Sequence, residues 1–145
     1  MAEKYSIFVT CAIIEKKGKY LITQRPPGKH NGLRWEFPGG TLEWGEDPRV
    51  SLKREIKEEI DLEVRVGDIF EISTNVYDGV KHVILLGFYC TYLSGEIKKQ
   101  DIHDYRWVTL QEMKEYDITQ ADLPLIEALK KKEINLNKSK LDINI

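Results

Sequence analysis

Asp47-Pro48 opens the segment of this chain that leaves least choice of structure. Asp accepts hydrogen bonds from the free backbone N–H groups of a helix start, and Pro suits the first helical position. From there Leu52, Ile56 and Ile60 recur every four residues, a stripe that must bury against another element. The spacing predicts a helix from about residue 47 to residue 60. On a wheel of 3.6 residues per turn, Glu59, Glu55 and Glu58 fan out from the border of that stripe, while Arg54 and Lys57 point elsewhere. Carboxylates three and four residues apart repel by about 0.2–0.5 kcal/mol per pair. Such a patch becomes favourable when it holds a hard divalent cation, which keeps waters and bridges to substrate phosphates.

The rest of the chain reads mainly as strands around this helix. Residues 5–14 and 19–24 are rich in β-branched and aromatic types, and the charged link at 15–18 makes them a hairpin. Residues 25–34 hold Pro26, Pro27, Gly28, Asn31 and Gly32, a loop of the kind that carries binding groups. A short strand at 35–37 ends in the turn Pro38-Gly39-Gly40. Residues 62–76 and 80–93 form a second hairpin through Tyr77-Asp78-Gly79, and 105–108 a further strand. Residues 111–116 and 121–131 are predicted helices, the second with Leu125, Ile126 and Leu129 as its apolar side. The tail, 132–145, is expected either to fray or to add a late edge strand. These elements give one α/β (α+β) domain with a mixed sheet covered by helices.

Composition narrows the function. The chain has 145 residues, 32% charged, with a formal net charge of -2. That balance argues against a broad footprint for a nucleic acid polymer or an anionic membrane. No apolar run approaches bilayer length, and no signal-like leader is visible. Cys11 and Cys90 lie in separate apolar runs, so buried free thiols in a reducing cytoplasm are expected.

Gly40, Glu46, Arg54, Glu55, Ile56, Glu58, Glu59 and Leu62 fall in register with the signature of the Nudix hydrolases. Six of these are fixed identities, and chance agreement is about one in ten million per starting point. One position departs: the late Gly of the signature is Asp61 here. A left-handed helix exit suits Gly, although Asp tolerates it better than most residues. The segments 24–26, 33–40 and 105–108 resemble the MutT-like branch. This resemblance implies the Nudix α/β/α sandwich and Mg²⁺-dependent hydrolysis of a nucleotide, with Mn²⁺ as an occasional substitute.

The resemblance also implies roles. Glu55, Glu58 and Glu59 would hold the metal with the Gly39 backbone carbonyl, and Asp101 stands where family members place a further acidic ligand. Glu55, nearest the attacking water in MutT-like proteins, would be the general base. Arg54 and Glu46 would pair and orient the ligands, or form a surface salt bridge of little worth. Arg25 would meet the substrate, or simply snorkel. Trp35 and Phe37 alternate along a strand, share a face and would flank a base, though core packing explains Phe37 equally well. Asp122 aligns with a base-reading position, with helix capping as the plainer role.

Three functions follow. The first is hydrolysis of a nucleoside triphosphate, with an oxidised purine or cytosine base, to monophosphate and pyrophosphate. The second is cleavage of a nucleotide sugar or dinucleoside polyphosphate, hinted at by Tyr77. The third is a nucleotide sensor without turnover, although such modules generally lose the acidic residues kept here. The oligomeric expectation is a monomer or homodimer.

Overall fold

The computed structural model describes residues 2–143, with side-chain surroundings to residue 139. Seven strands and two α-helices occur among them, in the order β1 (Tyr5–Lys16), β2 (Lys19–Gln24), β3 (Trp35–Glu36), β4 (Gly39–Thr41), α1 (Pro48–Ile60), β5 (Glu63–Tyr77), β6 (Lys81–Ser94), β7 (Asp104–Val108) and α2 (Leu123–Ile143). Short 3₁₀ turns cover Glu112–Glu115 and Gln120–Asp122.

Strand β1 organises the sheet. It runs parallel to β6 over ten registered pairs, from Tyr5↔Lys81 to Ile14↔Cys90, and β6 in turn pairs antiparallel with the edge strand β5. Its other side takes β4, through Val9↔Thr41 and Cys11↔Gly39, and then β2 at its far end. Strand β2 carries β3 and β7. The sheet is therefore mixed, as the pattern of runs predicts.

Because side chains alternate along a strand, β1 feeds two cores. Ala12 and Ile14 join Leu52, Ile56 and Ile60 of α1 with Val64 and Phe88. Cys11 and Ile13 join Phe37, Leu85 and the α2 residues Leu125, Ile126 and Leu129. Helices thus cover both faces of the sheet. Both cysteines are buried and free.

Helix α1 begins as its residues require: the Asp47 carboxylate accepts from the N–H of Arg49 (2.9 Å) and Val50 (3.3 Å). At its far end Asp61 adopts φ +58°, and its N–H donates to the Lys57 carbonyl. The left-handed exit normally given to Gly is thus made by Asp, whose carboxylate also meets Lys57 at 3.0 Å and Lys98 at 3.3 Å. Asp61→Gly should equal or exceed wild-type stability, whereas Asp61→Ala keeps the strain, loses the ion pairs and should cost about 1 kcal/mol. Urea melts of both variants check this, and an Ala variant as stable as the Gly one would refute it.

Three expectations are corrected. Residues 111–116 form only a 3₁₀ turn, anchored by Met113, the buried residue of that turn. Gly39-Gly40 is a strand beside β1 rather than a free turn. The tail neither frays at 132 nor adds a strand: α2 continues through it to Ile143 with residues 131–139 exposed, and residues 144–145 lie outside the described part.

Candidate active site

The approach of α1 to β4 depends on two glycines. A Cβ on Gly39 would collide with the Thr10 carbonyl and the Cys11 backbone, so β4 lies against β1 only because that atom is missing. A Cβ on Gly40 would occupy the place of the Glu55 carboxylate. Glu55 therefore packs directly over the Gly40 backbone, and its side chain is only 17% exposed.

Arg54 ties the acidic groups together. Its Nε and Nη2 grip both oxygens of Glu46 at 2.8 and 2.9 Å, and its Nη1 lies 3.2 Å from Glu55 and 3.1 Å from Glu58. The Arg54 hydrogen bond holds the Glu46 carboxyl down at about 2. Glu58, 59% exposed, stands at the outer end of this fork. The charges thus form a network rather than one isolated surface pair.

Among the described residues Glu59 has no such partner. Its carboxyl is pushed up to about 9 by burial first, then by the charges of Glu36, Glu55 and Asp101, against a hydrogen bond from the Gly39 backbone. Burial also raises Glu55, and the adjacent Arg54 opposes the shift. Asp101 is 60% exposed, lies 3.7 Å from Lys29 and donates its N–H to the Glu59 carbonyl. Among the described residues no three acidic, His or Cys side chains converge as a ready-made metal cage. The donors nevertheless suit a hard cation: all are oxygens, and Glu59 sits among three other acids whose field a divalent charge would cancel.

Gly40, over which Glu55 packs, borders a cavity of about 120 Å³ that Gly39, Thr41, Phe37, Thr119 and Asp122 also line. Asp122 is buried, and its Oδ2 accepts from the Phe37 N–H at 2.7 Å. Burial and then the Glu36 charge raise its carboxyl, while the Phe37 N–H, Thr119 and Arg25 hold it down. Arg25 also borders the cavity, but its fork is largely engaged: Nε donates to the His30 carbonyl at 2.9 Å and Nη1 to Glu36 at 3.1 Å.

Trp35 does not border this cavity. It packs edge-on against Tyr116 at 5.1 Å, with the Arg106 guanidinium 5.7 Å from its ring. Its N–H and carbonyl bond to Asp117 and Thr119, which ties β3 to the segment before α2. Only Phe37 of the expected aromatic pair reaches the cavity. Sequence reading missed Glu36 and Lys81, both on its wall. A strand of two residues offers no alternation from which to place Glu36. For Lys81 the available signal was a cation opening an otherwise apolar strand.

Arg54 and Glu46 pair with each other, Glu55 lies over Gly40 of β4, and residues 4–129 match the NUDIX domain. The chain belongs to the Nudix family. It is 33% identical over 122 residues to a CTP pyrophosphohydrolase of Escherichia coli, covering 84% of this chain and 90% of that protein. It is 31% identical over 123 residues to an 8-oxo-dGTP diphosphatase of Buchnera aphidicola, covering 85% and 92%. The solution structure of the E. coli ORF135 protein superposes with a TM-score of 0.77 at 32% identity, over 89% of this chain and 91% of that one. The MutT protein from Methanosarcina mazei shares the fold with a TM-score of 0.81 at 24% identity, over 92% and 99%. This protein is a MutT-like Nudix hydrolase.

Proposed function

We propose that this Nudix hydrolase cleaves a nucleoside triphosphate to its monophosphate and pyrophosphate, with cytosine or an oxidised purine as the base. The observation that carries the reading is the half-buried Glu59, crowded by Glu36, Glu55 and Asp101, near a cavity that Glu36, Gly39, Gly40 and the buried Asp122 all border. The acids suit a metal-bound phosphate chain, and Asp122 suits a hydrogen-bonding base edge. The relatives named for CTP and 8-oxo-dGTP support the same reading.

Glu55, Glu58 and Glu59 would hold Mg²⁺, or Mn²⁺, with the Gly39 carbonyl and Asp101. Bound there, the ion supplies charge neutralisation at the phosphates and a more acidic water. Glu55, whose carboxyl burial raises against the pull of Arg54, takes the proton of the attacking water. Arg54 keeps Glu55 and Glu58 aimed at the phosphates, and Glu46 keeps Arg54 in place. Asp122 reads the base edge: ionised it only accepts, and protonated it donates as well. Phe37 forms the apolar wall of the base site, and Arg25 adds positive charge beside Glu36.

No described helix is long and apolar enough to cross a membrane. Two buried free thiols fit the reducing cytoplasm, where free nucleotides rather than polymers would be the substrates. Incubation with a nucleotide panel and Mg²⁺, scored for pyrophosphate against phosphate, tests the reading. Silence on every triphosphate from a folded protein would favour a sensor, and release of phosphate alone would point to a different bond. Asp122→Ala should reorder the preference among bases more than it lowers turnover on the best one. An unchanged order would place Asp122 outside recognition.

A further inference from the structure

The loop at 25–34 borders the cavity through Arg25, His30 and Asn31. Its backbone is tightly folded, with Gly28, Asn31 and Leu33 all at positive φ. Its polar supports include Gln24 Nε2, which donates to the Leu33 carbonyl at 3.0 Å, and an Arg34–Asp117 contact at 3.7 Å. Arg25 holds the His30 carbonyl from beneath at 2.9 Å, and Lys29 meets Asp101 at 3.7 Å through two largely exposed side chains, a contact of little worth.

A further support is aromatic and comes from another part of the fold. The His30 ring meets the Tyr77 ring edge-on, with centroids 4.9 Å apart and planes at 88°. Tyr77 ends β5, and the turn into β6 is fixed by Asp78 and Gly79, both at positive φ. Tyr77 pairs with Lys81, which also borders the cavity. Tyr77 itself borders the cavity, so the hairpin tip is a fixed post on its wall. A T-shaped pair suits such a post because its attraction is directional and requires no hydrogen bond from the phenol.

We propose that Tyr77 is a positioning residue that acts through His30, pinning loop 25–34 as the roof of the nucleotide cavity. The inference rests on the reading of that cavity as the nucleotide site. Without the ring of Tyr77 the loop keeps only its polar supports and samples open states, and substrate must then close it at the expense of affinity. The chemistry is assigned to Glu55, Glu58 and Glu59 of α1, none of which borders the cavity with this ring pair. The loss therefore falls on KM and leaves kcat nearly untouched.

Two measurements test this, one of which needs no substrate. In the nucleotide-free protein, Tyr77→Ala should speed hydrogen exchange of the Gly32, Leu33 and Arg34 amides, which bond within the loop, by about three- to tenfold. Amides of α1 should not change. In kinetics Tyr77→Ala should raise KM by a similar about three- to tenfold factor with kcat within about twofold, and Tyr77→Phe should restore KM. In a His30→Ala background the Tyr77→Ala change should have no further effect, because the two rings act as one unit. Unchanged loop exchange, or an undiminished KM effect of Tyr77→Ala once His30 is gone, would overturn the proposal. The expected faster loop exchange in a protein that cleaves no triphosphate would instead fault the nucleotide reading and leave the roof standing.

Discussion

Glu59→Gln is expected to cut turnover by about 10²–10³-fold while making the metal-free protein more stable. The folded chain holds the Glu59 carboxyl near 9 against an ordinary 4.5. Between those values the folded state keeps a proton that the unfolded chain has released, so this residue's contribution to stability falls as pH rises through that window. Gln titrates nothing. Its advantage should be small near pH 5 and reach about 1–3 kcal/mol near pH 8. An amide at that place also donates hydrogen bonds towards acids that an ionised Glu59 would repel. Thermal melts in EDTA across pH measure the difference. Adding Mg²⁺ should raise the Tm of the wild type and barely move that of the variant, since a ligand stabilises only the form that binds it. A variant less stable than wild type at pH 8, or an equal Mg²⁺ shift in both, would remove Glu59 from the metal site.

Adjacent glycines should fail in opposite ways. Gly39→Ala drives a methyl into the backbone of Thr10 and Cys11, atoms that cannot swing aside. It should cost about 3 kcal/mol and lower Tm by about 10 °C. Gly40→Ala meets only the carboxylate end of Glu55, a side chain able to rotate. Stability should fall by less than about 1 kcal/mol, yet turnover should drop about a hundredfold as the general base is displaced. Melting curves and kcat measured on the same preparations separate the two. If Gly40→Ala kept wild-type turnover, Glu55 would not need its seat over β4.

The particular residues explain what could be read from the sequence and what could not. Helix α1 was legible because cap, proline and fourfold stripe agree, and both hairpins because their turns demand Gly or its neighbours. Strand β4 was not, since Gly39-Gly40 carries no side-chain pattern and pairs through its backbone alone. The second half of α2 was hidden for the opposite reason: residues 131–139 lie on no core, so Ile134 and Leu136 form no buried stripe. At the site, spacing alone groups Glu55, Glu58 and Glu59 on one helix face. It does not reveal that Glu58 leans on Arg54 while Glu59 sinks beside Glu36. Trp35 and Phe37 looked equivalent by alternation, but β3 stops at Glu36, and the chain turns Phe37 inward where Asp122 takes its N–H.

The parallel pairing of β1 with β6 fixes an order of assembly. The two strands lie 76 positions apart at Tyr5↔Lys81, and closing so long a loop is slow compared with local helix or hairpin formation. During synthesis α1 and the first hairpin can form early, but β1 cannot be sandwiched until β6 has left the ribosome. Gly39 and Gly40 are seated on β1, so a nascent chain ending before residue 90 carries every glutamate of the signature before the sheet that seats them is complete.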